Sequence, residues 1–273
     1  MKASTAKEAS PLGSSEAVEK PVTIVAVGRQ RVGKTTLLNA LVQFYRPRGA
    51  DIRVWNADLQ NATNHLGLFH ADADTVPPGS FEDTRLWLEA RITDQVMERY
   101  DAILDVGGGE TVLNKLAQEV RLVDTLERRG IRMVAMHVLG PDPADLDYLV
   151  RFSNEELFLP RATVLVLNEG LITSGQSAEN AFAQIRRHPA LLQAVNRGAR
   201  VRLLPVLSCM GQVASRGLMF SDMANGKQAS GHEATSFFDQ ERTALWWERQ
   251  MPAFFGELPA EWMPRIRRQA EAA

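Results

Sequence analysis

Cysteine is almost absent from the 273-residue sequence, which contains Cys209 alone. A single thiol cannot form a disulfide within the chain, so the fold does not depend on an oxidising compartment. Apolar segments are short as well, and none approaches the roughly 20 residues that a helix needs to cross a bilayer. The first 20 residues are rich in Ser, Ala, Lys and Glu and lack the apolar middle of a signal peptide. We therefore expect residues 1–20 to be a flexible lead-in and the protein to be cytoplasmic.

Net charge is also small, because 31 Lys and Arg residues stand against 33 Asp and Glu residues and leave −2 at pH 7. This balance gives no overall attraction to nucleic acid, so binding to DNA would need a local basic patch. Hydrophobic residues make up 45% and charged residues 23%, as in an ordinary globular protein with a full core. Composition therefore leaves the partner open.

Short apolar runs alternate with longer segments of helical period from Pro21 onward. The alternation is typical of a mainly parallel sheet with helices on both faces, and most runs are too continuously apolar for a sheet with one wet face. We predict an α/β fold for residues 21–223, doubly wound and arranged in three α/β/α layers. The predicted strands are Val22 to Val27, Ile52 to Trp55, Ala102 to Val106, Ile131 to Val138, Thr163 to Leu167 and Val201 to Val206.

Helix boundaries are signalled between these runs. Ser80 followed by Asp83 predicts a capped start, Asp142 before Pro143 predicts a second start, and Gly130 predicts a helix end. Residues 224–273 form an aromatic C-terminal extension in which prolines interrupt any long amphipathic helix. We expect this extension to pack on the same domain and do not expect a membrane partner.

A phosphate-binding motif follows the first predicted strand. The run from Gly28 to Thr35 reads G-R-Q-R-V-G-K-T, which fits G-x-x-x-x-G-K-[ST], and a helix is predicted from Thr35 to Phe44. Glycines let backbone N–H groups face a phosphate, Lys34 adds charge at the β- and γ-phosphates, and the Thr35 hydroxyl can ligate Mg²⁺. The motif predicts a P-loop that binds a triphosphate with its magnesium ion.

Two further strand ends carry carboxylates. Asp58 follows the second strand, where it could orient water, and Asp105 ends the third, where it could hold magnesium. The amide of Gly108, shortly after Asp105, could meet a γ-phosphate. The segment from Asp105 also fits the D-x-x-G pattern of GTPases, but the run Asn168 to Leu171 lacks the lysine and aspartate of N-K-x-D. These features favour ATP over GTP.

At these residues the chain resembles the ParA/MinD family of deviant-Walker ATPases, over roughly Val22 to Phe220. The run from Gly28 to Thr36 looks like the family's G-K-G-G-V-G-K-T-T, and the run from Asp58 to Thr63 looks like its D-P-Q-G-N-A-T. Asn168 and Pro205 are similar to the adenine-contacting positions. In overall appearance the chain looks most like the small conjugal-transfer and mobilisation ATPases of the TraL or MobD kind.

The resemblance implies binding of ATP and Mg²⁺, slow hydrolysis, an ATP-dependent homodimer, and a protein partner in plasmid conjugal transfer, mobilisation or partition. It implies catalytic roles for Lys34, Asp58 and Arg29, and a magnesium site at Thr35 and Asp105. Arg29 stands where the family's signature lysine reaches across the dimer. Gln30 and Arg31 replace two glycines of the family motif, and Asn56 replaces an aspartate. The implied nucleotide-binding residues are Gly28, Arg31, Val32, Gly33, Lys34, Thr35, Thr36, Gly108, Asn168 and Pro205.

Two other classes of function stay open. A small-molecule kinase or ATP-dependent ligase would use the segment from Asn61 to Gly79 as a substrate lid, although a surface loop is favoured. His65 and His70 in that segment are five residues apart, a poor spacing for a shared metal. A non-hydrolysing binding module would use the C-terminal extension, where the basic cluster from Arg265 to Arg268 could contact DNA phosphates.

Overall fold

The computed structural model of the chain describes residues 19–58, 66–107, 111–154 and 158–267. Within these ranges, seven strands form one sheet in which every strand pair is parallel. The strands are β1 (Val22–Val27), β2 (Ile52–Asn56), β3 (Asp74–Thr75), β4 (Asp101–Asp105), β5 (Arg132–Leu139), β6 (Ala162–Asn168) and β7 (Arg200–Leu204). Their order across the sheet is β3-β2-β4-β1-β5-β6-β7, which places β1 at the centre.

Twelve α-helices connect and cover the strands in the described residues. They are α1 (Lys34–Tyr45), α2 (Phe81–Glu98), α3 (Thr111–Val120), α4 (Leu122–Arg128), α5 (Asp147–Asn154), α6 (Ala178–Ala181), α7 (Ala183–Arg187), α8 (Pro189–Asn196), α9 (Met210–Arg216), α10 (Phe220–Ala224), α11 (Phe237–Leu245) and α12 (Met251–Gly256). A π-helical stretch, Trp246–Gln250, joins α11 to α12. None of the helices in the described ranges has the length and apolar character required to span a bilayer.

The predicted three-layer α/β/α fold is confirmed, and each of the six predicted strands lies within two residues of an observed one. The sequence analysis missed β3, because a two-residue strand is too short to show an alternating pattern. The capped start at Ser80 is confirmed: its Oγ accepts from the Asp83 N–H at 3.2 Å, and an Asp83 oxygen accepts from the Ser80 N–H at 2.7 Å. Gly130, with φ +76°, follows the end of α4 as predicted.

The central strand is buried on both faces. Ile24 belongs to the same apolar cluster as Leu41 of α1, whereas Val25 belongs to the cluster on the opposite face with Leu113 of α3. Burial on two sides gives β1 no freedom to slide, because a shift of one residue would exchange its two faces. The loop that leaves β1 is therefore anchored in the rigid centre of the molecule.

The C-terminal extension packs against α1. The Phe255 ring lies 4.8 Å from the Phe44 ring, and Trp246 lies 4.8 Å from Phe220, between ring centroids. The Trp246 indole N–H also donates to the carbonyl oxygen of Pro205 at 2.9 Å. These buried contacts place the aromatics of α11 to α12 in the core cluster that contains the P-loop helix.

A buried aspartate ties the chain end to the sheet. Asp101, at the start of β4, accepts from the backbone N–H groups of Val22 and Arg265, each at 2.8 Å. The Arg265 guanidinium lies 3.3 Å from the same carboxylate. Both oxygens of Asp101 are therefore satisfied, in contrast to the aspartate at the other end of β4.

Candidate functional site

The loop between β1 and α1 has room for glycine alone at two positions. At Gly28, φ is +144° and an added Cβ would lie 2.5 Å from the carbonyl oxygen of Val138. At Gly33, φ is +100° and an added Cβ would lie 2.6 Å from Nδ2 of Asn168. The loop therefore curls tightly over the start of α1, where backbone N–H groups and the helix dipole favour an anion.

The Lys34 side chain closes this loop. Its Nζ donates to the carbonyl oxygens of Gly28 at 2.8 Å and Arg29 at 2.9 Å. Lys34 is buried, so its positive charge is held at the centre of the loop rather than in solvent. An ammonium in this position can exchange carbonyl oxygens for phosphate oxygens with little movement of its stem.

Thr35 and Asp105 form a pair beside Lys34. The Thr35 hydroxyl donates to Oδ2 of Asp105 at 2.9 Å, while Oδ1 of Asp105 is buried without a partner in the described structure. The pKa of Asp105 is raised to about 7, mainly by burial and partly by the charge of Asp58, whereas the Thr35 hydrogen bond and the Lys34 charge oppose the rise. A buried carboxylate oxygen without a donor is costly to ionise unless a cation binds it.

These residues fit a magnesium ion. Hydroxyl and carboxylate oxygens are ligands that Mg²⁺ prefers, and the ion usually takes one or two carboxylates together with substrate phosphates. Among the described residues, no group of three or more His, Cys, Asp or Glu side chains is placed to hold a metal. The Thr35–Asp105 pair is thus suited to a metal that arrives with a phosphate ligand.

Asp58 lies against the loop that follows β4. An added Cβ at Gly107 would lie 2.5 Å from Oδ1 of Asp58, so the missing side chain of Gly107 leaves space for this carboxylate. The Ala57 N–H donates to the backbone carbonyl of Asp105 at 2.8 Å, which holds the end of β2 beside the end of β4. The structure therefore brings Asp58, Asp105, Thr35 and Lys34 together, as the sequence analysis predicted.

The Arg29 guanidinium forms ion pairs within its own chain. Its NH1 lies 3.1 Å from Oδ2 of Asp142 and 3.1 Å from Oδ1 of Asp145. The hydrogen bond to Asp142 and the charge of Asp145 raise the pKa of Arg29. Asp145 is buried, and its other oxygen accepts from the Gly140 N–H at 2.7 Å. The loop between β5 and α5 is thereby attached to the P-loop.

The sequence analysis missed this attachment. It identified Asp142 only as a helix start, and that prediction is confirmed in part, since Asp142 accepts from the Ala144 N–H at 3.0 Å but begins a 3-10 turn, Pro143–Leu146, ahead of α5. Asp145 was not considered. Two acidic residues three apart after a predicted strand were the available signal. The reach of Arg29 across a dimer stays a prediction.

Asn168 fastens the P-loop from the other side. Its Nδ2 donates to the Val32 carbonyl at 2.8 Å, and its Oδ1 accepts from the Gly170 N–H at 2.9 Å. Pro205 follows β7, and its described polar contact is the one with Trp246. Contact of either residue with adenine stays a prediction.

The remaining predicted residues differ in exposure. Arg31 is exposed with φ +64°, Val32 is buried in the loop, and Thr36 is half-buried in the first turn of α1. Gly108 and His65 lie outside the described residues. His70 is a core residue whose Nε2 lies 3.0 Å from Oδ1 of Asn39, and burial lowers its pKa to about 4.

Comparison with known proteins gives only distant likenesses. No protein-family model matches the chain, and no curated protein matches it. The cell division protein FtsY of Thermotoga maritima is 14% identical at a TM-score of 0.45, with 84% of this chain and 69% of that chain covered. MinD of Aquifex aeolicus is 14% identical at a TM-score of 0.44, with 91% of this chain and 100% of that chain covered. The signal recognition particle 54 kDa protein of Aeropyrum pernix, in complex with GDP, is 17% identical at a TM-score of 0.42, with 77% of this chain and 55% of that chain covered.

Proposed function

We propose that the protein binds Mg-ATP at the P-loop and hydrolyses it slowly as a nucleotide-dependent switch. One observation carries the proposal: the Asp105 carboxylate is fixed by Thr35 beside Lys34, while its second oxygen is buried without a hydrogen-bond partner among the described residues. A structural aspartate at a strand end would have both oxygens satisfied, as Asp101 has at the other end of β4. The unsatisfied oxygen supports a cation ligand.

Each residue has a distinct role in this proposal. Magnesium, when bound, neutralises phosphate charge, and Thr35 Oγ1 with the Asp105 carboxylate would hold it. Lys34 releases the loop carbonyls and binds the β- and γ-phosphates, and Thr36 lies toward the α-phosphate. Backbone N–H groups at the start of α1 bind the remaining phosphate oxygens. Asp58 orients the attacking water.

The charges at the site favour slow hydrolysis. Asn56 occupies the position where a second carboxylate could help Asp58 to orient or deprotonate the attacking water, and its neutral amide cannot accept a proton. Arg29, the charge available for the transition state, is bound to Asp142 and Asp145. With its charge offset, Arg29 contributes little until those contacts break. A site with one water-orienting group, and with Arg29 held by two carboxylates, suits a switch.

Binding can be tested with fluorescent ATP and GTP analogues in Mg²⁺ and in EDTA. Lys34→Ala should lower affinity at least about tenfold, because the buried ammonium is the charge in contact with phosphate. Lys227→Ala is the control, since that exposed lysine pairs with Asp222 away from the loop. Unchanged affinity in the Lys34 variant would remove the P-loop from the proposal. Tighter binding of GTP would replace ATP as the ligand.

Hydrolysis needs a separate test. Asp58→Ala should retain ATP binding but lose turnover, whereas Asp72→Ala, which removes an exposed carboxylate paired with Arg46, should change neither. Turnover at the wild-type rate in the Asp58 variant would exclude the water-orienting role and leave the binding proposal standing. The same assay without added acceptor separates a switch from a kinase, because a kinase needs its small substrate for rapid consumption of ATP.

The resemblance to the ParA/MinD family supports a finer proposal: ATP-dependent dimerisation and a protein partner in plasmid conjugal transfer, mobilisation or partition. The mass in solution should be measured with Mg-ADP, with Mg-ATP, and with Mg-ATP for Lys34→Ala. A dimer that forms only with ATP and is lost in the variant is expected. A constant mass despite ATP binding would instead favour an enzyme acting on a small molecule or a non-hydrolysing binding module.

A further inference from the structure

The start of α11 exposes two adjacent aromatic side chains. Phe237 is 66% exposed and Phe238 is 67% exposed, with their ring centroids 5.7 Å apart. Leu245 lies about two helical turns after Phe237 on the same side of the helix and is 51% exposed. Unlike Trp246 and Phe255, these three side chains are outside the core clusters of the described residues. We call them the apolar face of α11, because a contiguous exposed group of this kind marks an interaction surface.

The opposite side of α11 is held by the core. Thr243 is fully buried, and its hydroxyl donates to the Asp239 carbonyl at 2.7 Å. Trp246, which follows the last residue of α11, is buried and packs against Phe220. Because this side is fixed, the helix presents its apolar face to solvent in one orientation. A partner that binds there therefore loses little entropy in ordering the surface.

Two glutamates border the apolar face of α11. Glu241 lies between the aromatic pair and Leu245, about one turn from each, and Glu248 lies within one turn beyond Leu245. Both are exposed, and in the part of the chain that the structure describes neither has a basic side chain within ion-pair distance. The charge of Arg242 is offset by Asp239 at 2.8 Å. The surface thus combines an apolar centre with negative charge at its border.

The sequence around this surface has the same sign of charge. Residues 228–250 contain four Asp and Glu residues and two Arg residues, so negative charge is in excess. Such a surface attracts a basic partner and repels an acidic one or an anionic membrane. A helix with Lys and Arg on one side and apolar residues on the other complements both the charge and the apolar character of the surface.

The area of the apolar face of α11 limits the size of its partner. At these exposures the three side chains leave about 300 Å² of apolar surface in contact with water, which is the size of a patch that is often functional in a monomer. A stable interface between two globular proteins buries about 800 Å² on each partner. The face is too small for such an interface and suits a single short helix.

We propose that the apolar face of α11 binds a cationic amphipathic helix of a partner protein. The apolar side of that helix packs on Phe237, Phe238 and Leu245. Its Lys or Arg side chains pair with Glu241 and Glu248. The proposal does not depend on nucleotide binding, because none of these residues belongs to the P-loop site.

The test measures binding of a labelled peptide to the full chain by fluorescence anisotropy. The peptide has about 14 residues and contains only Leu and Lys, placed so that a helix has one apolar side and one basic side. Phe237→Ala/Phe238→Ala should weaken binding at least about tenfold, because two aromatic anchors are lost. The control, Leu86→Ala/Met97→Ala, removes exposed apolar side chains from α2, which packs on the opposite face of the sheet, and should bind normally.

Recognition of charge needs a second pair of variants. Glu241→Gln/Glu248→Gln should weaken binding about threefold at low salt, and the difference should disappear at about 0.5 M salt. The control, Glu179→Gln/Glu261→Gln, removes two other exposed glutamates, in α6 and after α12, and should bind as wild type does. A peptide in which Glu replaces every Lys should bind wild type at least about tenfold more weakly than the Leu/Lys peptide.

Other results would overturn the proposal. No binding of the Leu/Lys peptide at about 100 μM would show that the surface does not take such a helix. Equal losses in a variant and its control, or equal binding of the Leu/Glu peptide, would show general attraction. A mass that rises with protein concentration in wild type but not in Phe237→Ala/Phe238→Ala would replace the partner with a second copy of the chain. Binding to phosphatidylglycerol vesicles that the same variant abolishes would replace it with a lipid surface.

Discussion

Replacement of Asp105 by asparagine is expected to stabilise the ligand-free protein while it removes the magnesium site. Asp105 is 1% exposed, and within the described ranges its carboxyl group has one hydrogen-bond partner, the Thr35 hydroxyl. Its pKa of about 7 lies well above the ordinary aspartate value of 3.8. Asparagine has nearly the same shape, can keep the bond to Thr35 and carries no charge at any pH.

The sign of the expected stability change follows from the raised pKa of Asp105. Folding favours the protonated acid, so the contribution of Asp105 to stability is fully present below pH 3.8 and is lost as the pH rises to about 7. At pH 8 the loss is about 4 kcal/mol, at about 1.4 kcal/mol for each pKa unit. The asparagine variant escapes this loss but buries an amide N–H₂ in place of the unpartnered oxygen, which costs about 1–3 kcal/mol. The net gain at pH 8 should be about 1–3 kcal/mol.

Urea unfolding followed by tryptophan fluorescence, in EDTA without nucleotide, measures this difference at pH 4.5, near the lower end of the transition, and at pH 8, above the pKa of folded Asp105. Asp101→Asn, at the other end of β4, is the control and should destabilise the protein at both pH values, because it breaks satisfied bonds to Val22 and Arg265. An Asp105 variant that is less stable than wild type at pH 8, or a difference that does not change with pH, would refute the reasoning. Added Mg-ATP should stabilise wild type and the Asp101 variant but not the Asp105 variant.

Three further outcomes are expected. Gly33→Ala should lower nucleotide affinity at least about tenfold in the fluorescent-analogue assay, because the new Cβ would lie 2.6 Å from Nδ2 of Asn168 and the backbone φ is +100°. The control, Gly211→Ala, adds a Cβ in open space on α9 and should bind the nucleotide normally. Burial lowers the pKa of His70 to about 4, below the unfolded value of 6.5, so the folded protein favours the neutral imidazole and loses stability as the pH falls below 6.5. Wild type should therefore lose about 2 kcal/mol of unfolding free energy on acidification to about pH 5, and His70→Gln should remove that loss. Equal pH dependence of the two proteins would contradict this prediction. Arg29→Gln should lower stability in urea, and the difference should shrink at about 1 M salt; a salt-independent difference would exclude an electrostatic origin.

Local patterns were sufficient to predict most of the fold. The apolar runs of β1 and β5 are continuous because both faces of these strands are buried, and such runs are visible without any knowledge of their neighbours. The Ser80 cap was visible for the same reason, since both partners lie within one turn. By contrast, β3 is held by its pairing with β2 and not by a pattern of its own, so its two residues could not be distinguished from loop.

The candidate site was predictable where strand ends alone determine proximity. Asp58 follows β2 and Asp105 ends the parallel strand β4, which lies between β2 and β1, so their carboxylates meet beside the P-loop. Side-chain direction was not predictable. Arg29 and Asp145 are 116 residues apart, and their contact depends on β5 being the other neighbour of β1, which no local pattern specifies.

The contacts of Arg29 affect how a dimer could form. To reach a second subunit, Arg29 must leave Asp142 and Asp145, and the buried Asp145 would keep only the Gly140 N–H as a described donor. An uncompensated buried carboxylate is costly, so only a concentrated and poorly hydrated negative charge can compete for the arginine. A triphosphate enclosed between two subunits provides such a charge, whereas a diphosphate provides less. The intramolecular pair thus gives a physical reason for the proposed dimerisation to depend on the γ-phosphate, and it would link that step to the loop before α5.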